Sequence, residues 1–281
     1  MKVAVIGLAG QSVFLPVKEL GKAGETVIAD AIHTEPGGKG FNQAVAAARY
    51  GADVAFLAAV GDDAYAGSIQ SFLDGEKIGA YLCRKNDKTA FAAIVTDAAG
   101  NNCVTEYMGA RLTEEDVASF GAEIVSSDIL LLTNETPEKV NIAAARIAAA
   151  NGVRVILNPA PQQTLSEEML SLADWLTPNE HETAGLEGRQ NVIETLGSRG
   201  CRLRATGEVV PAFSVKAVDT TGAGDTFNGV LAAALAQGVS LSRAVRAANA
   251  AAGLSVMRRG AVGSIPSRAE TENFMKRSEP V

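Results

Sequence analysis

Asp219-Thr220-Thr221-Gly222-Ala223-Gly224-Asp225-Thr226-Phe227-Asn228-Gly229 organises the chain, because its glycines and acid run directly into the Ala/Leu-rich segment Val230 to Ala236. The pattern predicts a loop feeding the start of a helix. The first N–H groups of a helix have no internal partners and lie at the positive end of its dipole, so they form a seat for an anion, phosphate above all. Gly222 and Gly224 remove side chains that would keep a phosphoryl group off the backbone, and Asp225 stands beside the seat with a carboxylate able to accept a proton. Position, charge neutralisation and one base are what phosphoryl transfer to a hydroxyl requires. From these residues alone Asp225 divides between that base and a helix cap, since Asp is common in a first turn.

Composition bounds the rest. With 281 residues, 47% hydrophobic and 20% charged, the chain reads as soluble and globular, either one large α/β domain or two ordinary ones. A net charge of -7 argues against nucleic acid as partner and favours a small molecule. Cys83, Cys103 and Cys201 show no C-x-x-C spacing, so neither a disulfide framework nor a zinc site is indicated and a cytoplasmic setting is expected. Met1 to Gly7 moves straight into a strand without the features of a signal peptide, and no apolar run is long enough to span a bilayer, so no membrane partner is expected.

Val3 to Ile6 is an apolar run ended by glycine, the mark of a strand buried on both faces of a parallel sheet. Gly7-Leu8-Ala9-Gly10 lacks the third glycine and immediate helix of a dinucleotide-binding turn. Val13 to Val17 with Glu25 to His33, and Phe91 to Thr96 with Asn102 to Met108 around the turn Asp97 to Asn101, read as two pairs of short strands. Neither pair fits the βα alternation around it, and together they are expected to form a small sheet over the active site. Pro36 to Gln43 is a second glycine-rich entry to a helix, and it fails the Walker A pattern. From Asp53 onward apolar runs and helical stretches alternate, which predicts an α/β fold with a doubly wound, mostly parallel sheet flanked by helices. Glu135 follows the strand Ile129 to Leu132, at the end where open α/β sheets bind ligands; a solvated loop acid is the alternative. Asn179 and Glu182, three apart on an expected helix start, share a face and suit a hydrated magnesium, or are simply helix surface.

The gapless D-T-x-G-A-G-D-x-F-x-G, the segment G-G-K-G-x-N-Q-A at 37–44 and T-L-G-S-R-G at 195–200 resemble the signatures of the PfkB, or ribokinase-like, carbohydrate kinases. The resemblance spans almost the whole sequence and implies a single ribokinase-like domain over 1–281, with a β-sheet lid built from insertions at about 10–37 and 88–109. It implies ATP-dependent phosphorylation of a small sugar or nucleoside, with Asp225 as base and Gly222, Ala223 and Gly224 as anion hole. Acceptor contacts fall to Gly10, Ser12, Gly37, Gly38, Lys39, Asn42 and Glu135; nucleotide contacts to Asn179, Thr195, Leu196, Gly197, Ser198, Arg199, Gly200, Gly224 and Asn249. Mg2+ is assigned to Asn179 and Glu182 through water, and a monovalent cation, K+, to Asp219, Thr221, Ser255, Arg258, Gly260 and Ser264. A homodimer through the lid is implied as well.

Two departures qualify the resemblance. Family members usually carry an Asp where Ser12 stands, and serine cannot offer the same bidentate grip on sugar hydroxyls. Residues 183–191 are too few for the helix that usually separates N-x-x-E from the next strand, so a crossover should be missing or replaced, with apolar sheet surface left bare near the nucleotide. A non-catalytic sensor retaining the kinase fold is therefore the competing function; a dinucleotide oxidoreductase is a distant third.

Overall fold

A computed structural model describes residues 1–278 apart from Gly100, so the Gly100 of the expected lid turn lies outside the described residues. The first half of the chain runs β1 (Lys2–Ile6), β2 (Gly10–Pro16), β3 (His33–Gly37), α1 (Lys39–Arg49), β4 (Asp53–Gly61), α2 (Ala64–Gly75), β5 (Gly79–Lys85), β6 (Ala90–Thr96) and β7 (Asn102–Tyr107). Next come α3 (Glu114–Ser119), α4 (Gly121–Val125), β8 (Ile129–Thr133), α5 (Glu138–Ala150), β9 (Arg154–Asn158), α6 (Glu167–Leu172) and β10 (Trp175–Leu176). The remainder is β11 (Ile193–Thr195), β12 (Cys201–Leu203), β13 (Val209–Val210), α7 (Ala223–Ala236), α8 (Leu241–Ser255) and α9 (Arg268–Arg277).

The main sheet has the order β10-β9-β8-β1-β4-β5, and all its pairings are parallel. Its apolar runs are continuous because both faces are covered: Val3, Val5, Ile129 and Leu131 face a core shared with α1, α7 and α8, while Ala4, Ile6, Leu130 and Leu132 face one shared with α3, α4 and α5. Fully burying each larger aliphatic contributes about 1.5–3 kcal/mol, so this alternation fixes the register. The fold is the doubly wound one expected.

A second sheet, β3-β2-β6-β7, is built from the two insertions expected to form the lid. It is mixed, since β2 and β6 run parallel while the outer pairs are antiparallel. The first insertion corrects the expected strand at Glu25 to His33: the strand is His33–Gly37, and residues 18–32 are irregular and mostly exposed. Both edges of β2 are already taken, by β3 and β6, which leaves the earlier segment no place beside β2.

The shortened segment contains no helix between β10 and β11. Parallel bridges from Leu176 to Val192 and from Asn179 to Thr195 instead attach the small antiparallel sheet β11-β12-β13 to the edge of the main sheet. The expectation of bare apolar surface is not met. Leu186 drops from the turns onto the sheet and is 2% exposed, in one cluster with Met169, Leu170 and Val192. Beside it remains a cavity of about 460 Å³ lined by Pro159, Gln163, Leu165, Leu170, Glu182 and Leu186, among others.

Candidate active site

The site forms where α1 and α7 begin. The two helices approach so closely that a Cβ on Gly229 would stand 2.3 Å from the Gln43 carbonyl oxygen and 2.6 Å from the Ala46 methyl. Only small residues at the crossing allow this. The approach carries two amides of α1 onto the acid of α7: Asn42 Nδ2 donates to Asp225 Oδ2 at 2.9 Å and Gln43 Nε2 to Oδ1 at 3.2 Å. Asp225 is therefore held by a neighbouring helix, rather than folded back as a cap on its own. Burial is the largest influence on its carboxyl and raises it above the ordinary range; the Lys39 ammonium and both amides oppose that rise.

Gly222, the residue before α7, is left-handed with φ 73°, which turns the chain into the helix at the family corner. Thr226 N–H makes the first helical bond to Gly222, leaving the Gly224 and Asp225 N–H groups without a carbonyl one turn back. A Cβ at Gly224 would meet nothing within 4 Å, so protein packing does not demand the glycine there, and the space is free for a ligand. Asn228 pins this turn by donating to the Gly224 carbonyl while accepting from the Thr177 hydroxyl.

Glu135, 4% exposed past the end of β8, aims Oε2 at the N-terminus of α1 and accepts from Lys39 N–H at 2.8 Å and Gly40 N–H at 3.4 Å. Burial pushes its carboxyl up to about 8; the Lys39 ammonium counters this, and Asp225 and Glu106 reinforce it. The solvated-acid alternative does not describe it. Between pH of about 4.5 and 8 the folded state keeps a proton that the unfolded chain has released, so stability falls as pH rises through that window. The melting temperature of the ligand-free protein should decline from pH 5 to 8, and Glu135→Gln should flatten the decline; an unchanged slope in the variant would contradict the assignment.

Lys39 ties the pieces together. Its ammonium is raised chiefly by Asp225, against burial, and also by Glu135, Glu182 and Glu106. Four segments far apart in sequence thus converge on one cation. Asn42 Oδ1 and Gln43 Oε1 are buried without a hydrogen-bond partner among the described residues, beside Asp225. Buried acceptors of this kind are satisfied by a donor, and a hydroxyl-bearing ligand supplies one.

Gly10 and Gly37 pair across β2 and β3, and Ser12 pairs with Glu35. Gly38 precedes α1 with φ 106°. The sequence reading missed Gln43, although it lies inside the quoted motif, and also Glu106. The latter becomes legible only from register: Glu35, Ser12, Ala92 and Glu106 form one cross-strand row, and directly paired residues share a face. The row offers an acid at Glu106 on the face where Ser12 has none.

Where the nucleotide is expected, Asn179 and Glu182 do not start a helix. The chain turns there, Glu182 N–H donating to the Asn179 carbonyl at 3.0 Å and Asn179 N–H to Glu182 Oε2 at 3.0 Å, because too few residues remain before β11 to build one. Asn179 Oδ1 accepts from His181 N–H at 2.8 Å. Thr195 ends β11, Leu196 is buried, and Gly197–Arg199 form a short 3-10 turn closed by Leu196 N–H to the Gly200 carbonyl at 2.7 Å. Ser198 and Arg199 are exposed, and Arg199 pairs with Glu180. The Asn249 amide is engaged, donating to the Val210 and Pro211 carbonyls and accepting from the Cys201 thiol, so it holds the β12–β13 hairpin in place.

Asp219 accepts from Thr221 N–H, the Thr221 hydroxyl and Gly260 N–H, which hold its carboxyl below the ordinary range against burial, the largest influence. Ser264 donates to the Ala261 carbonyl, Ser255 to the Ala252 carbonyl, and Arg258 pairs with Glu270. Among the described residues no cluster of three His, Cys, Asp or Glu side chains is arranged to hold a metal, and no helix is long and apolar enough to cross a membrane.

A buried acid next to open helix N–H groups, flanked by a lysine and waiting amide oxygens, is the layout of a phosphotransferase acting on a hydroxyl. A family model described as pfkB family carbohydrate kinase matches residues 1–268, and the chain belongs to that family. It is 38% identical to a ribokinase of Haemophilus influenzae, with 97% of each chain covered, and 36% identical to a ribokinase of Bacillus subtilis, covering 97% of this chain and 99% of that one. Among solved structures it resembles a Thermotoga maritima ribokinase (35% identity, TM-score 0.87, 98% and 99% covered). It also resembles an Arabidopsis thaliana ribokinase complexed with ribose and ATP (30% identity, TM-score 0.84, 98% of each covered). The protein is an ATP-dependent carbohydrate kinase, and these relatives do not favour the sensor alternative.

Proposed function

We propose that the acceptor is a pentose, D-ribose in the first instance, phosphorylated on its hydroxymethyl group. The observation that carries the reading is Asp225 seated between the open N–H groups of α7 and the unpartnered amide oxygens of Asn42 and Gln43. Relatives described as ribokinase, at 38%, 36% and 35% identity, support the choice of sugar. Asp225 takes the hydroxyl proton as the alkoxide oxygen attacks the γ-phosphorus; the bond from that phosphorus to the bridging oxygen breaks, and ADP leaves. A carboxyl raised toward neutrality is a better base at working pH. Lys39 and the N–H groups of Gly224 and Asp225 neutralise the charge that develops on the transferring group.

Glu135, Asn42, Gly10, Ser12 and the Gly37-Gly38 turn line the acceptor side, and Thr195 to Gly200 the nucleotide. Glu182 and Asn179, which turn toward each other after β10, would hold a magnesium through water. When bound, it neutralises phosphate charge. The ionised Asp219 beside Gly260 fits a monovalent cation, which would stiffen the corner with Thr221, Ser255, Arg258 and Ser264. Exposed Ile28, Ile32 and Val104 on the lid support a lid-mediated homodimer, and membership of the carbohydrate kinase family supports a cytoplasmic location.

ADP release across D-ribose, 2-deoxyribose, hexoses and nucleosides tests the reading; release driven best by D-ribose is expected, and release with nucleosides alone would overturn it. Glu106, on the Ser12 row, is the lid acid placed to grip a sugar hydroxyl. A hydrogen bond to a charged group contributes about 1.5–3 kcal/mol, so Glu106→Gln should raise the KM for ribose roughly 10-fold or more with little change in kcat.

A further inference from the structure

Glu35 lies on the lid strand β3, yet its carboxylate serves the opposite wall of the site. It is 7% exposed. Oε1 accepts from Ala261 N–H at 2.7 Å and Oε2 from Gly263 N–H at 3.4 Å. Its only ion-pair neighbour among the described residues is His33, an exposed imidazole 3.6 Å away. The charge is thus stabilised mainly by peptide N–H groups of one loop, and a buried carboxylate without them would be costly. The main chain at Glu35 is pinned from below, where Gln11 Nε2 donates to its carbonyl at 2.9 Å.

That loop touches the phosphate corner at two places. A Cβ on Gly222, the residue that turns the chain into α7, would lie 3.2 Å from Ala261 Cα, so the residue that receives Glu35 also abuts the corner. One residue earlier, Gly260 N–H donates to Asp219, whose other oxygen binds Thr221. The 260–263 loop therefore buttresses residues 219–222, and Glu35 buttresses the loop. Two residues after Glu35 the chain reaches Gly37 and then Lys39, so the same strand leads into the acceptor side.

We propose that Glu35 is a positioning residue that fastens the lid to the phosphate corner through the 260–263 loop, so that the sugar cover and the phosphoryl seat hold their geometry together. Glu35 touches neither reacting atom. Its loss lets the corner drift relative to the acceptor and loosens the lid that keeps water from the transferring group.

The test uses Glu35→Gln, which is isosteric, and Glu35→Ala, each checked for folding by circular dichroism; if the alanine variant fails to fold, the glutamine variant carries the test. Amide hydrogen exchange is followed in residues 260–264 and 219–225. Faster exchange in both segments is expected, whereas a change confined to 260–264, or none, overturns the proposal. The kinetic arm rests on the proposed ribose acceptor: kcat for ribose should fall about 10-fold or more with each KM within about threefold, and ADP release should exceed sugar phosphate formed. Unchanged kcat with one ADP per sugar phosphate, or a loss residing wholly in KM, overturns it. The exchange arm needs no turnover, so an unaltered protein that phosphorylates no ribose would count against the ribose reading alone.

Discussion

Asp225→Asn lowers kcat for sugar phosphorylation by roughly 10²–10⁴-fold, the range that a positioned general base contributes, while ATP binding stays close to that of the unaltered protein. The substitution keeps shape and removes the proton acceptor. It also relieves a buried charge, since Asp225 is 8% exposed and burial already raises its carboxyl. The variant should therefore melt no lower than the parent, and a higher melting temperature is the expected sign of that relief. Activity lost together with stability would point to a structural acid. Activity retained with stability unchanged would remove Asp225 from the chemistry.

Gly229→Ala is expected to have the largest effect on stability and a large secondary effect on rate. The added methyl would lie 2.3 Å from the Gln43 carbonyl oxygen and 2.9 Å from Ala47 N, both backbone atoms that cannot rotate away. Overpacking of this kind costs typically about 1–3 kcal/mol and sometimes more, which for a chain of this size corresponds to a fall in melting temperature of about 2–5 °C. Separation of α1 from α7 would also draw Asn42 and Gln43 off Asp225, to which they donate at 2.9 and 3.2 Å. In the fraction that remains folded, kcat should drop while the KM for ATP moves little, because the loop at 195–200, proposed to hold the nucleotide, lies on the far edge of the sheet. Unchanged melting and unchanged rate would show that the helices adjust without loss.

The parts of this molecule that were legible in the sequence are those where one local pattern has one physical meaning. Val3 to Ile6 and Ile129 to Leu132 could only be strands buried on both faces, and each now divides its side chains between the two cores. The glycine-flanked acid at 225 announced a helix corner, because no other element needs that combination. Register and long-range partners were not legible. Glu25 to His33 has the composition of a strand, but its place beside β2 is taken by His33–Gly37. Asn179 and Glu182 have helical spacing, yet the short path to Thr195 forces a turn. Leu186 gave no sign that it would fold down in place of the missing helix. Glu35 and Glu106 are ordinary acids in sequence; only the four-strand lid row and the loop at 260–263 give them partners.

A structure of the protein with D-ribose and a non-hydrolysable ATP analogue tests the central claim most directly. The account predicts the ribose hydroxymethyl oxygen within hydrogen-bonding reach of the Asp225 carboxylate, about 2.6–3.2 Å, with the terminal phosphate of the analogue against the N–H groups of Gly224 and Asp225. Ribose bound away from Asp225, or a terminal phosphate seated anywhere other than the N-terminus of α7, would contradict it.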